Sequence, residues 1–354
     1  MDYSYTDVII ASTISAAMTL GLVGGWIRTV FRDFERLKKS NEDDRLKVLI
    51  RLAMGRDMNK PHKPLAVRFG GVWVPIAIVF GVLILEAYHI YVLSTPYSLS
   101  EVMAVSTLLL LGVLVGLVDD LSVWRGGVSV RYRVAASFII ALPLSVVKAG
   151  QSTMSIPLIG KVDFGIFYST LIVPIGVMGA SNAFNILAGY NGLEAGMATI
   201  ILSGYAAYAL HHGHELALKL SLISIAALLA FLVYNWYPAK TFPGNGFTYA
   251  IGSLLAAVVI VGNFEKFGVM VFPLYFLELI LFLRGLKNGI YKQNFGIPQP
   301  DGSLELPYDK IYSVTHLAIY TLKRLTGKAT EKGVVALILG VQALITVLAL
   351  IATW

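Results

Sequence analysis

Ten long apolar segments constrain the fold of this 354-residue chain more than any other feature of its sequence. A helix needs about 20 predominantly apolar residues to cross the hydrocarbon core of a bilayer. Charged residues make up only 14% of the chain, against about a quarter in soluble domains. The sequence therefore predicts an all-α polytopic membrane protein, a single domain over 1–354 with about ten transmembrane helices. The segments span residues 6–30, 70–93, 101–118, 133–149, 166–187, 195–211, 216–235, 247–263, 268–286 and 334–353.

Positive charge is divided unevenly between the joints that connect these segments. Of the 28 Lys and Arg residues, 24 lie in or next to every second connecting loop, counted from the loop after the first segment. Twelve of those 24 lie from Arg28 to Arg68. The positive-inside rule assigns these loops to the cytoplasm, which puts both termini outside. The formal net charge of +7 then reflects topology and an anionic leaflet. No basic groove with interleaved aromatic residues is evident, so we expect no nucleic-acid partner.

Two stretches on the predicted cytoplasmic side are too polar to span a bilayer. The first, 31–69, mixes both signs of charge and is predicted to be a loop with a helix on the membrane surface. The second, 284–333, is predicted to be a loop with an amphipathic interfacial helix within 306–325. The chain has no cysteine, so neither disulfides nor thiolate metal sites are available to it.

Four polar motifs fall at the predicted cytoplasmic joints. Because these motifs are distant in sequence but share one side of the membrane, we expect them to form one site. They are "GRDMNKPHKP" at 55–64, "GLVDDLSVWRGGVSVRYRV" at 116–134, "NAFNILAGYNGLEAG" at 182–196 and "TFPGNGFTYAIG" at 241–252.

The second motif contains adjacent carboxylates, Asp119 and Asp120. Such a pair is costly to bury unless a cation or protons compensate the charge. A solvated helix end is one interpretation, and a metal or phosphate site is the other. Oxygen ligands suit Mg²⁺ or Mn²⁺. The arginines that follow, Arg125, Arg131 and Arg133, either obey the positive-inside rule or bind phosphate opposite the carboxylates.

The third motif places Asn182, Asn185 and Asn191 close to three glycines at a helix end. A single amide there would be explained by helix–helix contacts, but this number of amides favours a binding site. An Asn side chain can offer its oxygen to a cation, or a donor and an acceptor to a nucleobase edge. The "FPGNG" of the fourth motif, at 242–246, interrupts a helix, either as a simple turn or along a watery cavity.

In this order, the four motifs resemble those of the polyprenyl-phosphate N-acetylhexosamine-1-phosphate transferases, glycosyltransferase family 4. The resemblance covers most of the chain. It is closest to the eukaryotic and archaeal dolichyl-phosphate GlcNAc-1-phosphate transferases, because Ala188 and Asn191 stand where bacterial members have aspartates. Compact loops and the absence of cysteine suggest an archaeal member.

The resemblance implies a function as well as a fold. Family members transfer a sugar 1-phosphate from a UDP-sugar to a polyprenyl phosphate and release UMP, with Mg²⁺ as cofactor and Mn²⁺ as an alternative. We therefore expect transfer from UDP-GlcNAc to dolichyl phosphate, opening the assembly of an N-linked glycan. The active site is expected on the cytoplasmic face of the cell membrane, and a homodimer is left open.

The resemblance also assigns expected roles to single residues. The first and third motifs, with the Phe of "FPGNG", are expected to contact the nucleotide sugar, and the aspartate pair the lipid phosphate and the metal. The expected catalytic residues are Asp119, Asp120, Lys60, Arg133 and Arg131; the substrate-binding residues are Gly189, Asn191, Phe242, Asn182, Asp57 and Asn59; and the metal ligands are Asn185, Asn245 and Asp120.

The chain departs from the family pattern at two places. Asn245 stands where the family has an Asp that ligates Mg²⁺, so it is either a natural variant or an inactivating substitution. The loop after the ninth helix lacks the family's His-containing cluster and has "KQN" at 292–294 instead, which leaves the sugar open. His316, further along, is expected to be structural. Glu278 lies deep in an apolar segment, where an acid is a functional candidate, and no partner is evident.

Three alternatives remain beside this interpretation. One is a bacterial-type enzyme that acts on undecaprenyl phosphate. A second is a membrane transporter, although transporters carry their polar sites near the bilayer midplane and usually show internal repeats. The third is a family member without activity, which the amide at position 245 would explain.

Overall fold

The computed structural model describes residues 5–38, 52–122, 128–156 and 160–354, and helices dominate this part of the chain. In lipid, a helix satisfies all of its backbone hydrogen bonds internally, which explains why apolar segments of this length fold as helices. The α-helices of the described residues are α1 Thr6–Lys38, α2 Trp73–Tyr88, α3 Leu99–Ser122, α4 Val130–Val146, α5 Val173–Ile186, α6 Leu193–His212, α7 Glu215–Asn235, α8 Asn245–Gly262, α9 Glu265–Met270, α10 Pro273–Lys287, α11 Val314–Thr326 and α12 Glu331–Thr353.

Every predicted apolar segment contains a helix, and the all-α polytopic membrane fold is confirmed. Eight helical segments of the described chain are long and apolar enough to cross a membrane. The other two apolar helices are shorter, with 17 residues in α4 and 15 in α10. The ninth predicted segment is divided, because α9 ends at Met270 and α10 begins at Pro273. Proline has no backbone N–H to continue a helix, but it fits the first turn of the next one.

Helix α8 lies at the centre of the bundle, and most of its residues are buried. Small residues bring its neighbours close. A Cβ on Gly112 of α3 would lie 2.6 Å from the Cα of Ala250, and a Cβ on Gly252 would lie 2.8 Å from the Cα of Ser181 in α5. This backbone proximity places the C-terminal ends of α3 and α5 beside the N-terminal end of α8.

Short antiparallel hairpins supplement the helices. They pair β1 Met54–Arg56 with β2 Leu65–Val67, β3 Thr153–Ile156 with β4 Gly160–Asp163, and β5 Ile297–Pro298 with β6 Leu304–Glu305. The first hairpin is attached to the segment before α8, since Val67 N donates to Lys240 O at 3.1 Å and Phe242 N donates to Val67 O at 2.9 Å. The turn of this hairpin, which carries the first motif, therefore lies at the same end of the bundle as the start of α8.

The two polar stretches differ from their predictions in extent. Helix α1 continues into the first stretch as far as Lys38. Residues 39–51 lie outside the described residues, so the surface helix predicted within 31–69 stays a prediction. In the second stretch a helix forms, but it begins at Val314 and not near 306, because Ser313 caps it by accepting a hydrogen bond from Thr315 N. Its position at the membrane interface stays a prediction.

Candidate active site

The carboxylate of Asp120 lies at the N-terminus of the central helix α8. Its Oδ2 accepts hydrogen bonds from Asn245 N at 2.7 Å and Gly246 N at 3.4 Å. A helix N-terminus exposes backbone N–H groups and a partial positive charge, so it stabilises an anion there. Gly244 makes the approach possible: its φ is +79°, and a Cβ on it would lie 2.9 Å from Asp120 Oδ2. The break at "FPGNG" therefore exposes a helix terminus to a carboxylate.

Asp119 is joined to the two asparagines by their side chains. Asn245 Nδ2 donates to Asp119 Oδ2 at 2.9 Å, and Asn245 Oδ1 accepts from Asn185 Nδ2, also at 2.9 Å. Asn185 Nδ2 also donates to Thr248 Oγ1 at 2.7 Å. Because a carboxylate can only accept, it fixes which way the Asn245 amide is turned. Three of the four motifs thus meet in one hydrogen-bonded group, called here the carboxylate–amide cluster: Asp119, Asp120, Asn185 and Asn245.

One arginine approaches this cluster. Arg133 Nη1 lies 3.5 Å from Asp119 Oδ2, and Arg133 Nη2 donates to the Tyr291 hydroxyl at 2.6 Å. Arg131 lies on the exposed surface of α4 and has no contact with either aspartate in the described structure. Arg125 lies outside the described residues. The expected pair of arginines is therefore represented at the carboxylates by Arg133.

The cluster has the donor chemistry of a site for a hard cation. It offers two carboxylates and two amide side chains, and Mg²⁺ prefers such oxygen ligands in proteins. Within the described ranges, no group of three His, Cys, Asp or Glu side chains is arranged to hold a metal. A metal at this cluster would consequently depend on amide oxygens from Asn185 and Asn245, and these residues fit it in kind.

A second group of predicted residues forms around Asp57, at the turn of the first hairpin. Asp57 Oδ2 lies 2.7 Å from Lys60 Nζ and accepts a hydrogen bond from Asn191 Nδ2 at 2.9 Å. Asn59 N donates to Asp57 Oδ1 at 3.1 Å, and Asn59 Nδ2 donates to Gly189 O at the same distance. The first motif therefore contacts the end of the third motif directly. These five residues, Asp57, Asn59, Lys60, Gly189 and Asn191, are called here the hairpin cluster.

Two glutamates that the sequence prediction missed hold the backbone of this region. Gly189 N donates to Glu194 Oε1 at 2.9 Å, and Asn191 N donates to Glu331 Oε1 at 3.0 Å. Both glutamates are buried. Glu194 lies inside the quoted asparagine motif, where an acid at the start of a helix was an available signal. Glu331 begins α12, 140 positions from its partner, and nothing local in the sequence connects the two.

The two remaining predicted residues differ in their surroundings. The ring of Phe242 lies against the first hairpin, since a Cβ on Gly55 would be 3.1 Å from it. Phe242 therefore packs on a strand of the first hairpin, three residues before Asn245. Asn182, in contrast, donates to Ser137 Oγ at 2.7 Å and to a carbonyl of its own helix. The bond to Ser137 joins α5 to α4, and in the described structure neither bond connects Asn182 to the other predicted residues.

Glu278 has partners that its sequence context did not show. It is fully buried and forms an ion pair with Lys292. Burial lowers the pKa of the Lys292 ammonium, and the Glu278 carboxylate acts in the opposite direction. His316 is also buried, with Nε2 2.9 Å from Gln293 O, and burial lowers its pKa to about 4. The position of His316 agrees with the structural role expected for it.

An apolar cavity of about 440 Å³ lies further along the bundle, where its lining includes Leu255 and Ile260 in the second half of α8 but none of the four residues of the carboxylate–amide cluster. It lies between α5, α8 and the divided helix α9–α10. One wall includes Ala180 and Ala183, and the latter is two residues before Asn185; the opposite wall includes Phe276 and Leu279. An aliphatic chain is the kind of ligand that such a lining suits.

Comparison with known proteins gives a consistent set of relatives. Residues 102–263 match the model of the family described as Glycosyl transferase family 4. That range includes the carboxylate–amide cluster and ends before Glu278 and Lys292.

Three relatives illustrate the range. A protein of Saccharolobus solfataricus, named provisionally as a UDP-N-acetylglucosamine–dolichyl-phosphate N-acetylglucosaminephosphotransferase, is 36% identical over 302 residues, 84% of this chain and 87% of that protein. The Dictyostelium discoideum protein of the same name is 27% identical, over 73% of this chain and 68% of its own length. A Bacillus subtilis protein, named provisionally as an undecaprenyl-phosphate N-acetylglucosaminyl 1-phosphate transferase, is 30% identical over 58% of this chain and 54% of its own length.

Proposed function

The chain belongs to glycosyl transferase family 4, and we propose that it transfers N-acetylglucosamine 1-phosphate from UDP-GlcNAc to dolichyl phosphate, with release of UMP. The observation that carries the proposal is the contact between the second, third and fourth motifs in the carboxylate–amide cluster, with the first motif joined to the third in the hairpin cluster. The names of the relatives support the choice of sugar and lipid.

In the proposed reaction, an oxygen of the lipid phosphate attacks the phosphorus that bears the sugar. The bond from that phosphorus to the UMP oxygen breaks, so the products are a dolichyl diphosphate sugar and UMP. A phosphate monoester has its second pKa near 6, so the acceptor is largely ionised at neutral pH and needs no strong base. We therefore assign Asp119 and Asp120 to organising the site and not to accepting a proton.

Repulsion between the two anionic substrates dominates the barrier, so positive groups and positioning carry the catalysis. Arg133 is placed to contact a phosphate beside Asp119, since its guanidinium has donors left after its contact with Tyr291. Lys60 is placed for the same purpose within the hairpin cluster. Arg131, exposed on α4, is retained only as a contributor to the positive surface.

We propose Mg²⁺ as the cofactor, with Mn²⁺ as the alternative, held by oxygens of Asn185, Asn245 and Asp120. When bound, the ion would neutralise charge on the diphosphate. With an amide at position 245 in place of the family's carboxylate, the ion is expected to bind more weakly.

The hairpin cluster is proposed to bind the uridine. Asn191 and Gly189 would present amide groups to the edge of the base, and Phe242 would stack on its face. Asp57 and Asn59 hold these groups in place. The apolar cavity between α5, α8 and α9–α10 would take isoprene units of the lipid beyond those next to its phosphate. The positive-inside distribution of charge supports a cytoplasmic site.

The test is a transfer assay with purified protein, radiolabelled UDP-GlcNAc, dolichyl phosphate and Mg²⁺. We expect labelled lipid and UMP in equal amounts, and no product with EDTA or with the variant Asp120→Ala. Asp163→Ala, on an exposed hairpin away from the site, is the matched control and should keep full turnover.

Acceptor and sugar are then varied one at a time. Faster turnover with undecaprenyl phosphate would favour the bacterial-type alternative, and faster turnover with another UDP-sugar would correct the sugar. Absence of any labelled lipid would contradict the proposed function. The homodimer stays a prediction, which the mass of the detergent-solubilised protein tests.

A further inference from the structure

The ion pair between Lys292 and Glu278 is buried at the join between α10, α11 and the loop that connects them. The Glu278 side chain is 0% exposed and that of Lys292 is 3% exposed. Buried ion pairs are weak stabilisers, and they persist only where further hydrogen bonds satisfy both groups. Glu278 receives such bonds from Val314 N at 2.7 Å and from Ser313 Oγ at 3.0 Å. The carboxylate is therefore fixed at the N-terminus of α11.

Lys292 connects the fixed Glu278 carboxylate to Asn294. The ammonium contacts Asn294 Oδ1, which leaves the Asn294 amide nitrogen turned the other way. That nitrogen donates to Ile186 O at 2.6 Å and to Ala188 O at 2.7 Å. A single amide thus holds two carbonyls of one short loop.

The loop held in this way connects the two halves of the site. Ile186 follows Asn185 of the carboxylate–amide cluster, and Ala188 precedes Gly189 of the hairpin cluster. Phe295 supports the same loop, because a Cβ on Gly189 would lie 2.9 Å from its ring. The φ of +111° at Gly189 adds a backbone reason for glycine there.

The other end of the same segment contacts the carboxylate side of the site. The Tyr291 hydroxyl accepts a hydrogen bond from Arg133 Nη2 at 2.6 Å, and Arg133 approaches Asp119. Residues 291–295 therefore meet the hairpin cluster at Gly189 and reach the carboxylate–amide cluster through Arg133, and the ion pair to Glu278 fixes the centre of this segment.

We propose that Glu278, Lys292 and Asn294 are positioning residues that set the spacing between the carboxylate–amide cluster and the hairpin cluster. Their effect is to align a nucleoside diphosphate, with the base held at one cluster and the distal phosphate at the other. The inference rests on the proposed function, because it assumes that one substrate spans both clusters. It adds a part of the chain beyond the range that matches the family model.

The test compares Asn294→Asp with the control Asn288→Asp. Asn294→Asp keeps the shape of the side chain but replaces the donor to Ile186 O and Ala188 O by an acceptor. Asn288 lies on the same connection, is exposed and donates to the Tyr312 hydroxyl instead. We expect kcat to fall about 100-fold in Asn294→Asp, since small misalignments of reacting groups cost about this much. Asn288→Asp should stay within twofold of the unmodified protein.

Binding separates positioning from a general loss of structure. UMP engages the base-binding half, whereas UDP also reaches the phosphate-binding half. Asn294→Asp should therefore bind UMP within twofold of the unmodified protein but lose about tenfold in affinity for UDP, both by calorimetry. A second variant, Glu278→Gln combined with Lys292→Met, removes the charges without leaving one unpaired and should show the same pattern.

The outcomes distinguish this inference from the proposed function. An unmodified protein that transfers no sugar contradicts the proposed function, and the UDP-to-UMP affinity ratio still tests the positioning role. Unchanged kcat and an unchanged affinity ratio in Asn294→Asp would overturn the inference. Equal losses for UMP and UDP, together with a lower Tm, would also overturn it in favour of a merely structural role.

Discussion

The two ends of the helical bundle both bury carboxylates, but they compensate the charge differently. At the end opposite the site, Asp7 Oδ2 lies 2.5 Å from Lys219 Nζ and 2.6 Å from His89 Nε2, and Glu215 lies 2.7 Å from the same ammonium. At the site, the nearest partners of Asp119 and Asp120 are neutral amides and backbone N–H groups, and Arg133 stands back at 3.5 Å.

This difference distinguishes an ion cluster that already holds a cation against its carboxylates from one that can accept a ligand. At the first end the Lys219 ammonium lies within ion-pair distance of both carboxylates, so a structural role explains that group. Dipoles hold the carboxylates at the second end and leave most of their negative charge uncompensated. A cation that arrives with a diphosphate substrate would complete the balance there.

The largest expected effect comes from neutralising a site carboxylate. Asp120→Asn should lower kcat about 10³-fold, as removal of one preorganised electrostatic group does elsewhere. Asp7→Asn is the matched change at the opposite end and should lower Tm while the folded protein keeps its turnover within twofold. The transfer assay and a thermal melt measure both. Equal kinetic losses in the two variants would remove the distinction between the ends.

Removing the cation from the opposite end should mainly affect stability. Lys219→Met leaves the buried Asp7 carboxylate without its ammonium and near the partly exposed Glu215, and we expect about 3–5 kcal/mol of destabilisation. Denaturation in detergent measures the free energy of unfolding. The neutral combination Asp7→Asn with Lys219→Met should recover part of the loss. A large fall in kcat at unchanged stability would show that this end also takes part in catalysis.

Asn245→Asp should make the site resemble the carboxylate group at the opposite end without its Lys219 ammonium. The new carboxylate would replace the amide that now lies 2.9 Å from Asp119, so the metal-free protein should lose Tm through repulsion. Mg²⁺ should restore the Tm, and half-maximal activation should need about tenfold less Mg²⁺ because the ligand now carries charge. Activity that appears only in this variant would identify the original chain as a disabled form. Identical Mg²⁺ dependence in both proteins would argue against a metal at this position.

The smallest expected effect concerns the approach of Asp120 to α8. Gly244→Ala introduces strain at φ +79° and a Cβ close to Asp120 Oδ2, so kcat should fall about tenfold. Gly213→Ala shares the positive φ of +77° but has open space around the new Cβ. It should cost a similar amount of stability with no change in kcat. A kinetic loss in Gly213→Ala of the same size would mean that backbone strain alone explains the effect.

The sequence was most informative where a property repeats along the chain. Apolar runs near 20 residues located the helices, because the bilayer imposes that length. The alternation of basic joints indicated which ends share a side, and from this the meeting of Asp119, Asn185 and Asn245 followed. The motif quoted around Asn185 also contained Glu194, whose contact with Gly189 N needed coordinates to be seen.

The sequence did not predict which side chains of a helix face the site. Arg131 and Arg133 are two residues apart, which on a helix is about 200° of rotation, so they cannot face the same carboxylates. Because α4 begins at Val130, that geometry applies to both arginines, and Arg133 is the one on the site side. Contacts between residues that belong to none of the four motifs could not be predicted from the sequence either. Glu278 and Lys292 carry no local pattern, since each is explained by partners on other elements.

The lack of a side chain at Gly116 has a mechanical consequence. A Cβ there would lie 2.2 Å from Asn245 O, so α3 and the start of α8 touch through their backbones. Such close backbone packing restricts tilting and sliding of either helix at this contact, so we expect the carboxylates to keep their geometry when substrate binds. Charge that develops during turnover would then be balanced by the substrates that bind and leave, and not by movement of α3 against α8.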